Sequence, residues 1–308
     1  MDELEPGIRR VTFALPLGID HVHCYFLRSS SGGWILVDTG LGTRDAEARW
    51  RPVLDELDGP VDAIVVTHMH PDHVGGARDV AGLTGAPVFQ GREDHIQCAR
   101  AWGERNPEKF ARFWIEQGMP AETVGDLVTD SDRMRSAVHW VERPDRLLEP
   151  GDAVDGWGVE VLRGHADGHI VLVRDDVLIA GDTILMGITP TVGLYPNSRP
   201  DPLADYFETL ARIEELGPRV AYAGHRDAVA DPAGRAGEIR AHHEDRLDCT
   251  EAALGGDPRS AYAVSLALFE ENLSTTLRRF ATAEALAHLE RLVGDGRAVR
   301  ADGGYVQA

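Results

Sequence analysis

Three histidines and an aspartate crowd into six consecutive positions of this chain: His68, His70, Asp72 and His73, inside the run Thr-His-Met-His-Pro-Asp-His-Val-Gly-Gly at 67–76. Imidazole nitrogen with carboxylate oxygen suits zinc, and less specifically iron or manganese. A lone His-x-His is common on ordinary surfaces, whereas four candidate ligands so close together point to a metal centre. His68 and His70 alternate on an extended segment, so both can point the same way. Asp72 and His73 follow Pro71, where the chain turns and can bring two more ligands round. Downstream, His165, Asp182 and His225 each end a predicted strand directly after glycine. A small residue there lets the backbone approach a crowded centre. The resulting set is too large for one tetrahedral ion and suits two.

These groups need rigid supports, and the patterning supplies them. The run at 61–66 is short, apolar and β-branched, so it reads as a buried strand. Gly75-Gly76 then turns the chain into a helix at about 74–83. Upstream, strands are expected at 11–15, 23–27 and 34–37, the last ending in Asp38-Thr39-Gly40. A helix at 43–57 puts Ala46, Trp50, Val53, Leu54 and Leu57 on one face. Further strands are expected at 87–89, 139–141, 159–162, 169–173, 177–180 and 220–223, with a helix at 202–216. Two batches of antiparallel-looking strands, each followed by helix, predict two sheets with helices outside.

Three stretches stand apart. Residues 92–138 read as a helical insertion, with a start at Asn106-Pro107 and a stop at Gly118. Phe110, Phe113 and Trp114 share a face there. That face either packs on the body of the protein or, as a lid with Trp102 and Trp114, offers an apolar pocket to a substrate. Residues 187–196 form a Gly/Pro-punctuated loop that lines the mouth, where Tyr195 could donate a hydrogen bond to substrate. From 236 the chain reads as helices at 238–254, 260–269 and 282–293, followed by a hairpin. That order is similar to a winged helix.

The ligand order, His68-x-His70-x-Asp72-His73, Gly164-His165, Gly181-Asp182 and Gly224-His225 with Asp38-Thr39-Gly40 upstream, resembles the metallo-β-lactamase superfamily of hydrolases over about 8–230. The resemblance implies an α/β (α+β) fold, an αββα sandwich with its ligands at one edge. It implies a catalytic domain at 1–235 and a small winged-helix domain at 236–308, as in the branch that contains β-lactamase-like protein 2. His68, His70 and His165 would bind the first metal. Asp72, His73 and His225 would bind the second, with Asp182 bridging. Histidine at 70, where the di-iron oxygen-reducing branch usually has glutamate, favours two Zn2+ ions over Fe2+ or Mn2+. A hydroxide shared by two such ions is a nucleophile near neutral pH, and Asp72 could orient it or pass a proton to the leaving group. Asp38, Thr67 and His169 are expected to support the ligands from behind. His23, in the stretch that resembles the family's N-terminal strand, would border the pocket.

Composition narrows the functions. At 308 residues, 43% hydrophobic, the chain can bury a sizeable core as one or two domains. It holds no run of eighteen apolar residues, so no membrane span is expected. The acidic residues 1–7 do not read as a secretory signal. Cys24, Cys98 and Cys249 are odd in number and widely spaced, which fits neither a disulfide framework nor a CxxC site. A cytoplasmic protein is the expectation. The formal charge of −20 (31 − 51) argues against a nucleic-acid partner, and residues 236–308 offer only Arg278-Arg279 as a basic pair. Packing, dimerisation or closure of one side of the cleft is expected of that segment. The sequence therefore points to a dinuclear zinc hydrolase of an ester, thioester or lactone. A metal-dependent endoribonuclease or phosphodiesterase is the first rival, and a non-catalytic nucleic-acid-binding regulator the second.

Overall fold

The computed structural model describes every residue except Leu17 and Glu104. Seven strands form the first sheet in chain order: β1 (Asp2–Glu5), β2 (Ile8–Ala14), β3 (His21–Arg28), β4 (Trp34–Val37), β5 (Val61–Val66), β6 (Val88–Gly91) and β7 (Arg146–Leu148). Five more form the second: β8 (Ala153–Val154), β9 (Trp157–Val161), β10 (Ile170–Arg174), β11 (Val177–Gly181) and β12 (Val220–Ala223), with β12 at the edge beside β11. The first sheet is antiparallel from β1 to β4 and parallel from β4 to β7. It is thus half parallel, not the antiparallel batch that short strands suggest. Parallel neighbours need helical crossovers, and α1 (Ala46–Asp55), α2 (Pro71–Val74), α3 (Ala77–Thr84) and α4 (Arg92–Cys98) provide them.

The two sheets pack face to face. Tyr25, Leu27, Ile35, Val37 and Val65 of the first meet Trp157, Ile170, Leu172 and Ile179 of the second. Behind the first sheet, Leu36, Ile64 and Val66 pack on Trp50 of α1 and Val80 of α3. Behind the second lie α7 (Pro202–Leu216), α8 (Pro232–Ala252), α9 (Ala261–Leu268) and α10 (Thr275–Gly294). Coverage of both faces explains why β5 past Asp62, and β11 throughout, are apolar rather than alternating. The architecture is the αββα sandwich expected from the sequence.

Local differences have physical causes. Residues 139–141 form no strand, because their backbone is engaged elsewhere: His139 N–H donates to Gly75 O at 2.7 Å, and Arg78 N–H donates to His139 O at 2.9 Å. The helix expected at 74–83 starts only at α3, with the short α2 before it, because the Gly76 N–H donates out of the helix to Gly40 O at 2.8 Å. Helix α8 starts at Pro232, where Asp231 Oδ1 accepts the Gly234 N–H at 3.0 Å. It runs through the boundary drawn at 235/236. Helix α10 starts at Thr275 under a Ser274 cap and so is longer than expected. The final hairpin is β13 (Ala298–Ala301) with β14 (Gly304–Gln307).

The insertion packs on the body. Helices α5 (Pro107–Glu116) and α6 (Ala121–Arg135) enclose Trp114, which is 0% exposed among Met119, Val124, Leu127 and Ala283 of α10. Trp114 is therefore core: of the two expectations for its face, packing on the body holds and the pocket wall does not. Among the described residues no helix is long and apolar enough to cross a membrane. Truncating Trp114 removes the filler between α5, α6 and α10. Trp114→Ala should cost about 3–5 kcal/mol, read as a lower denaturation midpoint against wild type.

Candidate metal centre

The cluster at 67–76 leaves the end of β5, beside the end of β4. Asp38 follows β4 with a left-handed φ of 63°. Its carboxylate accepts the Thr67 N–H at 2.8 Å, the Thr67 hydroxyl at 2.8 Å and His73 Nδ1–H at 2.8 Å. One buried acid thus ties together β4, β5 and α2. Thr67 Oγ1 also lies 3.0 Å from His68 Nδ1. Since that hydroxyl donates to Asp38, it accepts from His68.

The same logic sets the other rings. His165 Nδ1–H donates to Thr191 O at 2.9 Å, and His225 Nδ1–H donates to His21 O at 2.6 Å. With Nδ1 anchored behind, His68, His73, His165 and His225 each turn Nε2 inward, the atom that ligates once it carries no proton. His70 instead offers Nδ1, 3.0 Å from His68 Nε2. Asp182 Oδ2 lies 3.5 Å from His73 Nε2, 3.6 Å from His165 Nε2 and 3.2 Å from His225 Nε2. Asp72 Oδ2 lies 3.4 Å from His225 Nε2. Three overlapping groups result: His68, His70 and His165; His68, His73 and Asp182; Asp72, His73 and His225. All seven residues singled out in the sequence come together.

Close approach enforces the glycines. A Cβ on Gly181 would lie 2.6 Å from the His169 ring, and one on Gly224 would collide with Asp182 and His73. The Asp182 N–H donates to His169 Nε2 at 3.1 Å, and the His169 ring stacks on His68 with centroids 4.4 Å apart. His169 therefore supports the cluster from behind, as do Asp38 and Thr67.

A cation fits this arrangement. His73 Nε2, His165 Nε2 and Asp182 Oδ1 are buried without hydrogen-bond partners, and buried polar atoms rarely go unpaired. Burial holds His68 well below its ordinary value and takes His70 down to about 3, so both are neutral donors at pH 7. Burial also pushes His73 and His225 down, but carboxylates outweigh it. Asp182, Asp38 and Asp72 hold His73 well above the usual range, and Asp182 and Asp72 raise His225 to about 10. Burial raises Asp182, yet His225 and His73 outweigh it and keep it ionised.

A pocket opens beside His70 and His165, with Gln97, Arg100, Tyr195 and Asn197 in its wall. Tyr195 is in the lining, as expected for the mouth loop. Trp102 is not; its Nε1–H donates to Met69 O at 2.8 Å, bracing the backbone between His68 and His70. His23 is 5% exposed, and burial lowers it to about 4. It bonds Thr12 Oγ1 and Arg226 O, both at 2.9 Å, so it steadies the His225 loop and does not border the pocket. No pattern in the sequence marks Asp94. Fully buried, it accepts the Met69 N–H at 2.8 Å, and burial pushes it up to about 8. Nor could sequence reveal the carbonyls of His21 and Thr191, because backbone acceptors carry no side-chain signature.

Two outcomes follow for metal binding. Asp38→Asn keeps a residue tolerant of the left-handed backbone but removes the charge behind His73. It should weaken metal binding about 10–100-fold, measured by chelator competition. His73 and His225 hold protons at pH 7 that a cation must displace, so binding tightens as pH rises. Each proton displaced gives about tenfold in affinity per pH unit, measured by the same competition at pH 6, 7 and 8.

Comparison with known proteins agrees with this geometry. The chain matches the Metallo-beta-lactamase superfamily over residues 17–225 and the Metallo-beta-lactamase-like C-terminal domain over 247–306. It is similar to the probable metallo-hydrolase YqjP of Bacillus subtilis, 23% identical over 90% of this chain and 89% of that protein. It is also similar to the beta-lactamase-like protein 2 homolog of Drosophila melanogaster, 24% identical over 68% of this chain and 60% of that protein. A hydroxyacylglutathione hydrolase of Methylobacillus flagellatus is 26% identical over 65% of this chain and 64% of its own length. The crystal structure of a metallo-beta-lactamase family protein from Thermus thermophilus superposes with a TM-score of 0.87 at 37% identity, covering 99% of this chain and all of that one. The chain therefore belongs to the metallo-beta-lactamase superfamily and is a metal-dependent hydrolase that carries the C-terminal domain matched here.

Proposed function

We propose that the chain is a dinuclear zinc hydrolase of an ester, thioester or lactone. The carrying observation is Asp182, whose Oδ2 lies within 3.6 Å of imidazole nitrogens from both halves of the cluster. His68, His70 and His165 would hold one ion, Asp72, His73 and His225 the other, and Asp182 both. Zinc bound there supplies a hydroxide nucleophile near neutral pH and stabilises the charge that develops on the attacked carbonyl. The all-imidazole and carboxylate donor set favours zinc over softer or purely oxygen-liganded metals.

The protein's own groups do the rest. Asp38, Thr191 and His21 fix the tautomers of His73, His165 and His225, so the inward nitrogens need no rearrangement. The Asp72 carboxylate, half-buried beside His225, is positioned to take a proton from water and return it to the leaving group. Tyr195 lines the pocket next to His70 and His165, and its ring packs against Trp114, so it shapes the mouth.

An acyl substrate is supported over RNA by the state of the basic pair in α10. Arg278 is 5% exposed and donates to Ser265 O at 2.9 Å, while Arg279 is partly buried against Phe280. Neither is displayed for phosphates. The similarity to a hydroxyacylglutathione hydrolase favours a thioester among the acyl substrates.

Elemental analysis of the purified protein should find about two metal ions per chain, and well under two would sink the dinuclear reading. Acyl thioesters, lactones, β-lactams and RNA assayed together, with His68→Ala as the blank, should give hydrolysis of an acyl substrate only by wild type. Asp72→Asn, saturated with zinc, should lose about 10²–10⁴-fold in kcat; near-full activity at full metal content would remove Asp72 from proton transfer.

A further inference from the structure

The wall of the pocket beside His70 and His165 carries an unusual element. Ala99–Gly103 form a π-helical turn, a rare widening of the helix that occurs mostly at functional sites. The turn is held firmly. Trp102 Nε1–H donates to Met69 O at 2.8 Å, and Arg135 donates to Trp102 O at 2.7 Å. Met69 lies between His68 and His70, so the turn is joined to the strand end that carries the candidate ligands. Arg100 sits in this turn and lines the pocket with His70 and His165.

Arg100 has no acid. Its neighbours in the same stretch do: Arg92 pairs with Glu149 and Arg105 with Asp132. In a chain of 51 acids and 31 basic residues such pairing is the easy outcome. Among the described residues Arg100 makes no ion pair and no hydrogen bond. The acid in the lining, Asp167, is occupied: Gln97 Nε2–H donates to it at 2.6 Å and the Arg199 N–H at 3.1 Å. The chain's single lysine, Lys109, adds a second positive charge to this wall. Its Nζ donates to Asn197 Oδ1, and Asn197 lines the same pocket. A guanidinium without a partner among the described residues, in the pocket wall beside His70 and His165, is a fork for a carboxylate or phosphate.

We propose that Arg100 anchors an oxyanion on the substrate, with Lys109 adding to the field. The substrate class is then an acyl ester or thioester that carries a carboxylate or phosphate on the portion lying against α4. This rests on the hydrolase reading above.

The test uses the zinc-loaded full chain and three thioesters of one acyl chain length: one ending in carboxylate, one in phosphate and one in an uncharged methyl ester. Wild type should prefer one of the anionic thioesters by about 10–100-fold in kcat/KM over the uncharged one, and which anion wins identifies the group. Arg100→Gln should bring that ratio close to 1, and Arg100→Lys should leave an intermediate value. Calorimetry with glutarate and with inorganic phosphate gives a readout apart from turnover, and Arg100→Gln should weaken the favoured anion by a similar factor. Thioesters hydrolysed without preference, or an equal ratio in wild type and Arg100→Gln, would overturn the anchor and leave the hydrolase standing. No hydrolysis of any thioester, with Arg100-dependent anion binding intact, would overturn the acyl reading and leave the anchor standing.

Discussion

The Asp38 carboxylate is the interaction on which the centre depends. It sits at φ 63°, where a residue with a Cβ is strained by about 1–2 kcal/mol. Its hydrogen bonds from the Thr67 backbone, the Thr67 hydroxyl and His73 are charge-assisted, and each is worth about 1.5–3 kcal/mol. The bonds outweigh the strain. They also have a geometric result, because one carboxylate reaches the end of β4, the end of β5 and α2 at once. Removing the charge would free His73 to rotate and would loosen the strand end that carries His68 and His70.

A second constraint acts from the opposite sheet. His165, Asp182 and His225 arrive from three loops, and each must bring its backbone within contact distance of rings already in place. Gly181 and Gly224 meet that demand directly, against His169 and against Asp182 with His73. Gly164 meets it against Tyr206 of α7, at φ 118°. The ligands of the second sheet therefore approach because their preceding residues lack a Cβ, while those of the first are steered by Asp38.

This difference governs what could be read from the sequence. The ligand positions were legible because four candidate ligands fall within six residues at a strand end, and three more each follow a glycine at a predicted strand end. Strands 61–66 and 177–180 were legible because both faces are covered and, Asp62 apart, the runs are apolar. The aromatic residues were not. Periodicity places Phe110, Phe113 and Trp114 on one helix face, but not whether that face meets a substrate or Ala283 of α10. The stretch 139–141 has strand-like residues, yet its hydrogen bonds go to Gly75 and Arg78, long-range partners that local pattern does not encode. Asp94 and the carbonyls behind His165 and His225 were silent for the same reason.

The C-terminal segment shows how far the centre's supports extend. Leu247 of α8, Val264 of α9 and Leu289 of α10 share one apolar cluster with Val171 and Leu178 of the second sheet. From that position α10 reaches the mouth loop: the Leu194 N–H donates to Ala283 O at 3.0 Å, and a Cβ on Gly193 would lie 2.9 Å from Ala283. Tyr195 follows these two residues and stands between α10 and the pocket, with Trp114 6.2 Å away. The loop at the pocket mouth is thus held on one side by the insertion and on the other by α10. Its shape is braced by residues far later in the chain. A change in the packing of α10 acts on Tyr195 before it acts on any metal ligand, because the ligands are tied to Asp38 and to the strand ends instead.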